Sequence, residues 1–140
     1  MSLTGTCLCR AVTVTIKDTA PVNAEGLEVC ACTDCRQATG SGRGGEYLQV
    51  TPDNVTFAGE ESIKMYEKRT DAGNTFQRHF CTKCGSSIYG RTTFHGGKMV
   101  VVNSGLFPPG TLPKPSIYIY RSSAEKWDKP IEGVTALDKM

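Results

Sequence analysis

Cys30-Ala31-Cys32-Thr33-Asp34-Cys35 places three thiols within six residues, enough to cap one face of a zinc ion but not to fill its fourth position. Four more cysteines stand on either side, in Cys7-Leu8-Cys9 and in Cys81-Thr82-Lys83-Cys84-Gly85, and together these clusters account for all seven cysteines of the chain. Cys-x-x-Cys sets two sulfurs on one tight turn, and Gly85 supplies the positive φ such a turn needs. Joining Cys7 and Cys9 to Cys81 and Cys84 closes a loop of more than seventy residues. That closure costs roughly a few kcal/mol of chain entropy, against about 10 to 16 kcal/mol from a structural zinc. This gives a closed four-thiolate site and an open three-thiolate site. Spacing leaves other partitions possible, such as Cys7 and Cys9 with two of the middle three. It also leaves open a histidine, His79 or His95, that closes the middle site.

An odd number of cysteines does not form a disulfide set, and the N-terminus, Met1-Ser2-Leu3-Thr4-Gly5, has neither the charged start nor the apolar stretch of a secretion signal. A reducing cytoplasmic location is therefore expected. No run of eighteen apolar residues predicts a membrane span. The formal net charge of +2 is spread along the chain with no basic block to track a phosphate backbone, so nucleic acid is not the expected partner.

At 140 residues, with 39% apolar and 21% charged residues, the chain reads as one globular domain spanning residues 1–140. Fifteen glycines and seven prolines cut it into short pieces, so metal is expected to contribute to stability. Ala11 to Lys17 alternates, with Val12, Val14 and Ile16 on one face, which is the period of a half-buried strand. Further strands are expected at Glu46–Val50, Val55–Phe57, Ser62–Tyr66, Thr75–Phe80, Lys98–Asn103 and Ile117–Tyr120. One short helix is expected over about Thr33 to Thr39, with Thr33 as its N-cap and Gly40 as its stop. The architecture is mainly β. The stretch Gly40-Ser41-Gly42-Arg43-Gly44-Gly45 reads as a loop or a lid.

Three ordered signatures resemble the glutathione-dependent formaldehyde-activating enzyme family, which includes the centromere protein V type of domain. They are Gly5-Thr6-Cys7-Leu8-Cys9 before a strand, Cys30-Ala31-Cys32-Thr33-Asp34-Cys35-Arg36 followed by Thr39-Gly40, and Phe80-Cys81-Thr82-Lys83-Cys84-Gly85. Asn103-Ser104-Gly105-Leu106, and Pro115 through Tyr118 with Trp127, echo the same family more weakly. The resemblance implies a β-tent, a zinc-binding fold of short antiparallel sheets with one short helix near the second cysteine cluster. It implies two zinc ions: a structural one on Cys7, Cys9, Cys81 and Cys84, and a catalytic one on Cys30, Cys32 and Cys35. It also implies a carbon-sulfur lyase or synthase acting on a small-molecule thiol, glutathione, and formaldehyde or another small aldehyde. A non-catalytic zinc module of the same fold is the competing class. Ala31 and Arg10 depart from the His and Gly common at those places in the family, and Gly44-Gly45-Glu46 replaces a more apolar segment. For the proton donor, Tyr47, Asp34, Arg36 and a metal-bound water are candidates. Asp34 and Arg36 serve equally as supports that orient the ligands.

Overall fold

The computed structural model describes residues 2–17, 26–97 and 99–140. Eleven strands and one α-helix are found among them: β1 Leu3–Thr6, β2 Thr13–Ile16, β3 Leu27–Cys30, α1 Thr33–Thr39, β4 Gly45–Val50, β5 Val55–Ala58, β6 Ile63–Arg69, β7 Thr75–Cys81, β8 Ser87–Thr92, β9 Val100–Asn103, β10 Pro115–Ile119 and β11 Thr135–Ala136. Three strands form one sheet in the order β1-β2-β5. The other eight form a second sheet in the order β11-β10-β3-β4-β9-β8-β7-β6. The mainly β expectation holds, with one refinement: β10 runs parallel to both β3 and β11, while every other pairing is antiparallel. No helix among the described residues is long and apolar enough to cross a membrane.

Alternation along the strands separates two apolar clusters, one on each face of the large sheet. Val14 and Ile16 of β2, Leu48 and Val50 of β4, and Val100 and Val102 of β9 turn to one face. With Val12, Ile88, Cys7 and Cys81 they form the main core, each 2% exposed or less. Each such aliphatic side chain contributes about 1.5–3 kcal/mol relative to exposure. The intervening residues, Tyr47 of β4 and Val101 of β9, point the other way and pack with Cys30, Cys35 and Ile119.

The alternating Ala11–Lys17 stretch contains β2, and the expected strands at 46–50, 55–57, 62–66, 75–80 and 117–120 each overlap an observed one. Lys98, the first residue of a further expected strand, lies outside the described residues, and β9 occupies 100–103. The helix has the expected bounds and stops at Gly40 in the left-handed conformation (φ 77°), but its N-cap is Cys32 and not Thr33. The Cys35 amide donates to Cys32 Sγ at 3.3 Å, so a thiol takes the place usually held by Ser, Thr or Asp.

Candidate metal centres

Cys7 directly follows β1, and Cys9 lies on a turn closed by the Arg10 amide donating to the Cys7 carbonyl at 3.0 Å. Arg10 adopts φ 65° there, a conformation that favours glycine. On the other side, Cys81 ends β7, and the Gly85 amide donates to the Cys81 carbonyl at 2.8 Å with Gly85 at φ 76°. The Leu8 amide donates to Ser86 Oγ at 3.1 Å, tying one turn to the other.

The four sulfurs of Cys7, Cys9, Cys81 and Cys84 lie within 4.8 Å of one another. Cys9 Sγ is 3.7 Å from both Cys7 Sγ and Cys81 Sγ. A tetrahedron with zinc–sulfur bonds near 2.3 Å has edges of about 3.8 Å, so the donor set fits a zinc ion in size and in chemistry. The Ser86 hydroxyl, followed by the Ser86 and Cys9 amides, holds the Cys84 thiol down at about 5, which favours the thiolate that a metal requires. This cluster links the three-stranded sheet, through β1, to the far side of the large sheet, through β7.

Cys30 ends β3, Cys32 caps α1, and Cys35 sits in the helix's first turn. Their three sulfurs also lie within 4.8 Å of one another. Hydrogen bonds from Cys30 and Cys32 are the largest influence holding Cys35 down at about 2, with the Tyr47 hydroxyl and the charge of Arg78 adding to them. Hydrogen bonding with Cys32 and Cys35, together with burial, pushes Cys30 far up. Three thiols crowded this closely do not all ionise without a cation among them, so the cluster suits a divalent metal.

No fourth ligand joins these sulfurs among the described residues. His79 stacks on Tyr89 instead, with ring centroids 3.9 Å apart and planes 9° apart, and its Nδ1 is buried without a partner. The side chain of His95 lies outside the described residues. The three sulfurs open onto a cavity of about 230 Å³ whose lining includes Glu28, Tyr47, Gln49, Phe76, Arg78, Met99, Val101, Ile119 and Tyr120.

Sheet register explains how residues so far apart in the chain meet there. Glu28 of β3 pairs with Tyr47 of β4, and Tyr47 with Asn103 of β9. A second row runs from Gln49 through Val101 and Gly90 to Arg78 across four strands. Glu28 accepts a hydrogen bond from the Gln49 amide. Burial, then the negative charge at Cys35, raises the Glu28 carboxyl above its usual range. Burial and then Cys35 also raise Tyr47, whose hydroxyl oxygen is buried with no hydrogen-bond partner.

Two of the proton-donor candidates are engaged elsewhere. Arg36 donates to the Ser123 carbonyl and to Glu125, both at 2.9 Å, and fastens the helix to the C-terminal segment. Asp34 accepts from Lys68 at 2.5 Å and ties the helix to the β6–β7 hairpin. Tyr47 lies against the cluster, and Arg78, which sequence reasoning missed, lies with it.

The glycine-rich stretch is not a lid. Thr39 Oγ1 donates to the Cys35 and Gly44 carbonyls at 2.8 and 3.0 Å, and Arg43 pairs with buried Asp128 at 2.9 Å. Gly44, at φ 91°, packs so closely that a Cβ there would lie 2.0 Å from the Cys30 carbonyl oxygen. The stretch braces the cysteine cluster from behind, whereas residues 70–72 and 74 of the hairpin tip, Tyr120, Ser123 and Met140 line the cavity.

Residues 2–123 match the family model described as glutathione-dependent formaldehyde-activating enzyme. In shape the chain is similar to the crystal structure of a Rhodobacter sphaeroides protein solved as a structural-genomics target. The TM-score is 0.60 at 17% identity, over 96% of this chain and 99% of that one. At that identity the likeness shows the fold.

Proposed function

This chain belongs to the glutathione-dependent formaldehyde-activating enzyme family, and on that premise we propose that it is a zinc-dependent carbon-sulfur lyase or synthase joining glutathione to formaldehyde or another small aldehyde, or reversing that addition. The observation that carries the proposal is the contrast between the two cysteine clusters. One gathers four sulfurs, two of them in the main core, and the other gathers three on the floor of a cavity.

In this reading Cys7, Cys9, Cys81 and Cys84 hold a structural zinc and Cys30, Cys32 and Cys35 hold the catalytic one. A zinc ion on three thiolates carries a net negative charge, which makes it a weak Lewis acid but leaves it able to keep a co-substrate thiol as the nucleophilic thiolate. The chain's own residues do the rest. Cys32 fixes the start of α1 by capping it, which sets the Cys32–Cys35 spacing. Phe76, Val101 and Ile119 form apolar walls that exclude water from the reacting atoms. The free thiols suit a reducing compartment such as the cytoplasm.

Proton NMR exchange measurements on the zinc-loaded protein test the proposal directly. Glutathione-dependent acceleration of formaldehyde adduct formation is expected, and no change in that rate refutes turnover in favour of a binding module. Cys32→Ser should lower zinc to about one ion per chain in a protein that stays folded, because three-ligand and four-ligand sites are loaded independently. If that variant unfolds, the middle cluster is structural.

A further inference from the structure

Arg78 lies at the middle of β7 with Gly90 opposite it on β8 and Val101 beyond Gly90 on β9. The row therefore has no side chain at its centre. Phe76, two residues away on the same face of β7, fills the gap: a Cβ on Gly90 would lie 2.4 Å from its ring. The guanidinium of Arg78 rests over that ring, 4.6 Å from its centroid, and Nη2 reaches Cys35 Sγ at 3.8 Å. Stacking fixes the plane of the guanidinium and leaves N–H groups on its edge free to donate.

No carboxylate pairs with Arg78 among the described residues, although the side chain is half-buried and lines the cavity. An unsatisfied hydroxyl stands beside it. Tyr47 is 4% exposed and packs with Cys35, and its hydroxyl makes no hydrogen bond of normal length although it lies near both Cys35 and Arg78. Buried donors left without acceptors are unfavourable, and here the Tyr47 hydroxyl converges with the guanidinium edge of Arg78 beside the three sulfurs.

We propose that Arg78, with the Tyr47 hydroxyl beside it, forms an oxyanion site that takes a carboxylate or alkoxide oxygen carried two or three bonds from the sulfur of a thiol held at Cys30, Cys32 and Cys35. Its part in catalysis rests on the function proposed above. As the thiolate sulfur forms its bond to the aldehyde carbon, the C=O π pair moves onto oxygen. That alkoxide receives hydrogen bonds from Arg78 and then a proton from water, while the thiol's original proton has already passed to solvent. Reversal returns the pair to the carbonyl and the sulfur leaves as thiolate.

Thiol binding separates this site from turnover. With the full chain loaded with cobalt(II), titration with mercaptoacetate and with 2-mercaptoethanol is followed through the metal's visible absorption. A charge-assisted hydrogen bond makes mercaptoacetate the tighter ligand by about tenfold. Arg78→Gln should abolish that preference. Arg78→Lys, which keeps a charge beside Cys35 but not the planar fork, should reduce it, and it serves as the test if the glutamine variant does not take up metal. Equal affinities in the unmodified protein, or a preference that survives both substitutions, would overturn the assignment. A clear preference in a protein that does not accelerate formaldehyde addition would refute the enzymatic reading and leave the oxyanion site standing.

Discussion

Substituting Gly44 by alanine attacks the three-cysteine cluster without touching a sulfur. Two effects add at this position. The residue sits at φ 91°, and an L side chain in the left-handed region costs about 1–2 kcal/mol. The new Cβ would also meet the Cys30 carbonyl oxygen at 2.0 Å and the Ala31 Cα at 2.9 Å. Both are backbone atoms, and Cys30 is held in the ladder by Gly45 of β4 and Ile119 of β10, so the strand cannot simply move aside. Overpacking of this kind adds about 1–3 kcal/mol.

The control is Gly110, the third residue of the Pro108–Thr111 turn. It has φ 83° but open space where a Cβ would go, so Gly110→Ala carries the conformational part alone. Urea unfolding at one fixed free zinc concentration, followed by circular dichroism, should place Gly44→Ala about 1–3 kcal/mol below Gly110→Ala. Because the displaced atom belongs to Cys30, cobalt bound at the middle cluster should also change its thiolate absorption in the Gly44 variant only. Equal losses for the two variants, with identical cobalt spectra, would show that Gly44 does not brace the cluster.

Arg10→Gly should stabilise the protein by about 0.5–1 kcal/mol, because it removes an arginine from φ 65° in the turn between Cys7 and Val12; a lower urea midpoint for this variant would contradict that account. Cys81→Ser should prevent folding where Cys32→Ser does not, because Cys81 is wholly buried in the main core, and a two-dimensional amide NMR spectrum distinguishes the two outcomes. Burial, then the charge of Arg91, lowers the His79 pKa. The unfolded chain therefore takes up this proton first, so stability falls as pH drops from above about 6.5 through the lower folded value. His79→Phe keeps the stack on Tyr89 and should flatten the urea midpoint across that window, whereas parallel profiles would remove His79 from the acid response.

The three cysteine clusters were legible because metal ligation imposes short spacings that survive in a linear reading, but spacing left their partition open; the family resemblance implied the four and the three sulfurs that the structure brings together. The helix was legible for a similar local reason, since Gly40 stops it. Its cap was misread because a thiol is not among the usual capping side chains, although Cys32 does that work beside its expected ligand role. β1, β3, β8 and β11 were missed: β1 and β11 are four and two residues long, Leu27–Cys30 is short and carries Glu28 on the cavity face, and β8 contains Gly90, which weakens any strand pattern. That glycine is there for the Phe76 ring. Arg78 was hidden for the same reason, because its place beside Cys35 depends on cross-strand register over four strands. Local spacing carries no record of such a row.

Zinc-edge X-ray absorption of the full chain, with and without glutathione, tests the inequality of the two clusters most directly. Four sulfurs and three sulfurs shared over two ions average about 3.5 per zinc, and a thiol entering the open position raises the average to about 4. We expect two zinc ions per chain and that rise on adding glutathione. One ion per chain, or a sulfur count that glutathione leaves unchanged, would contradict an open three-thiolate centre.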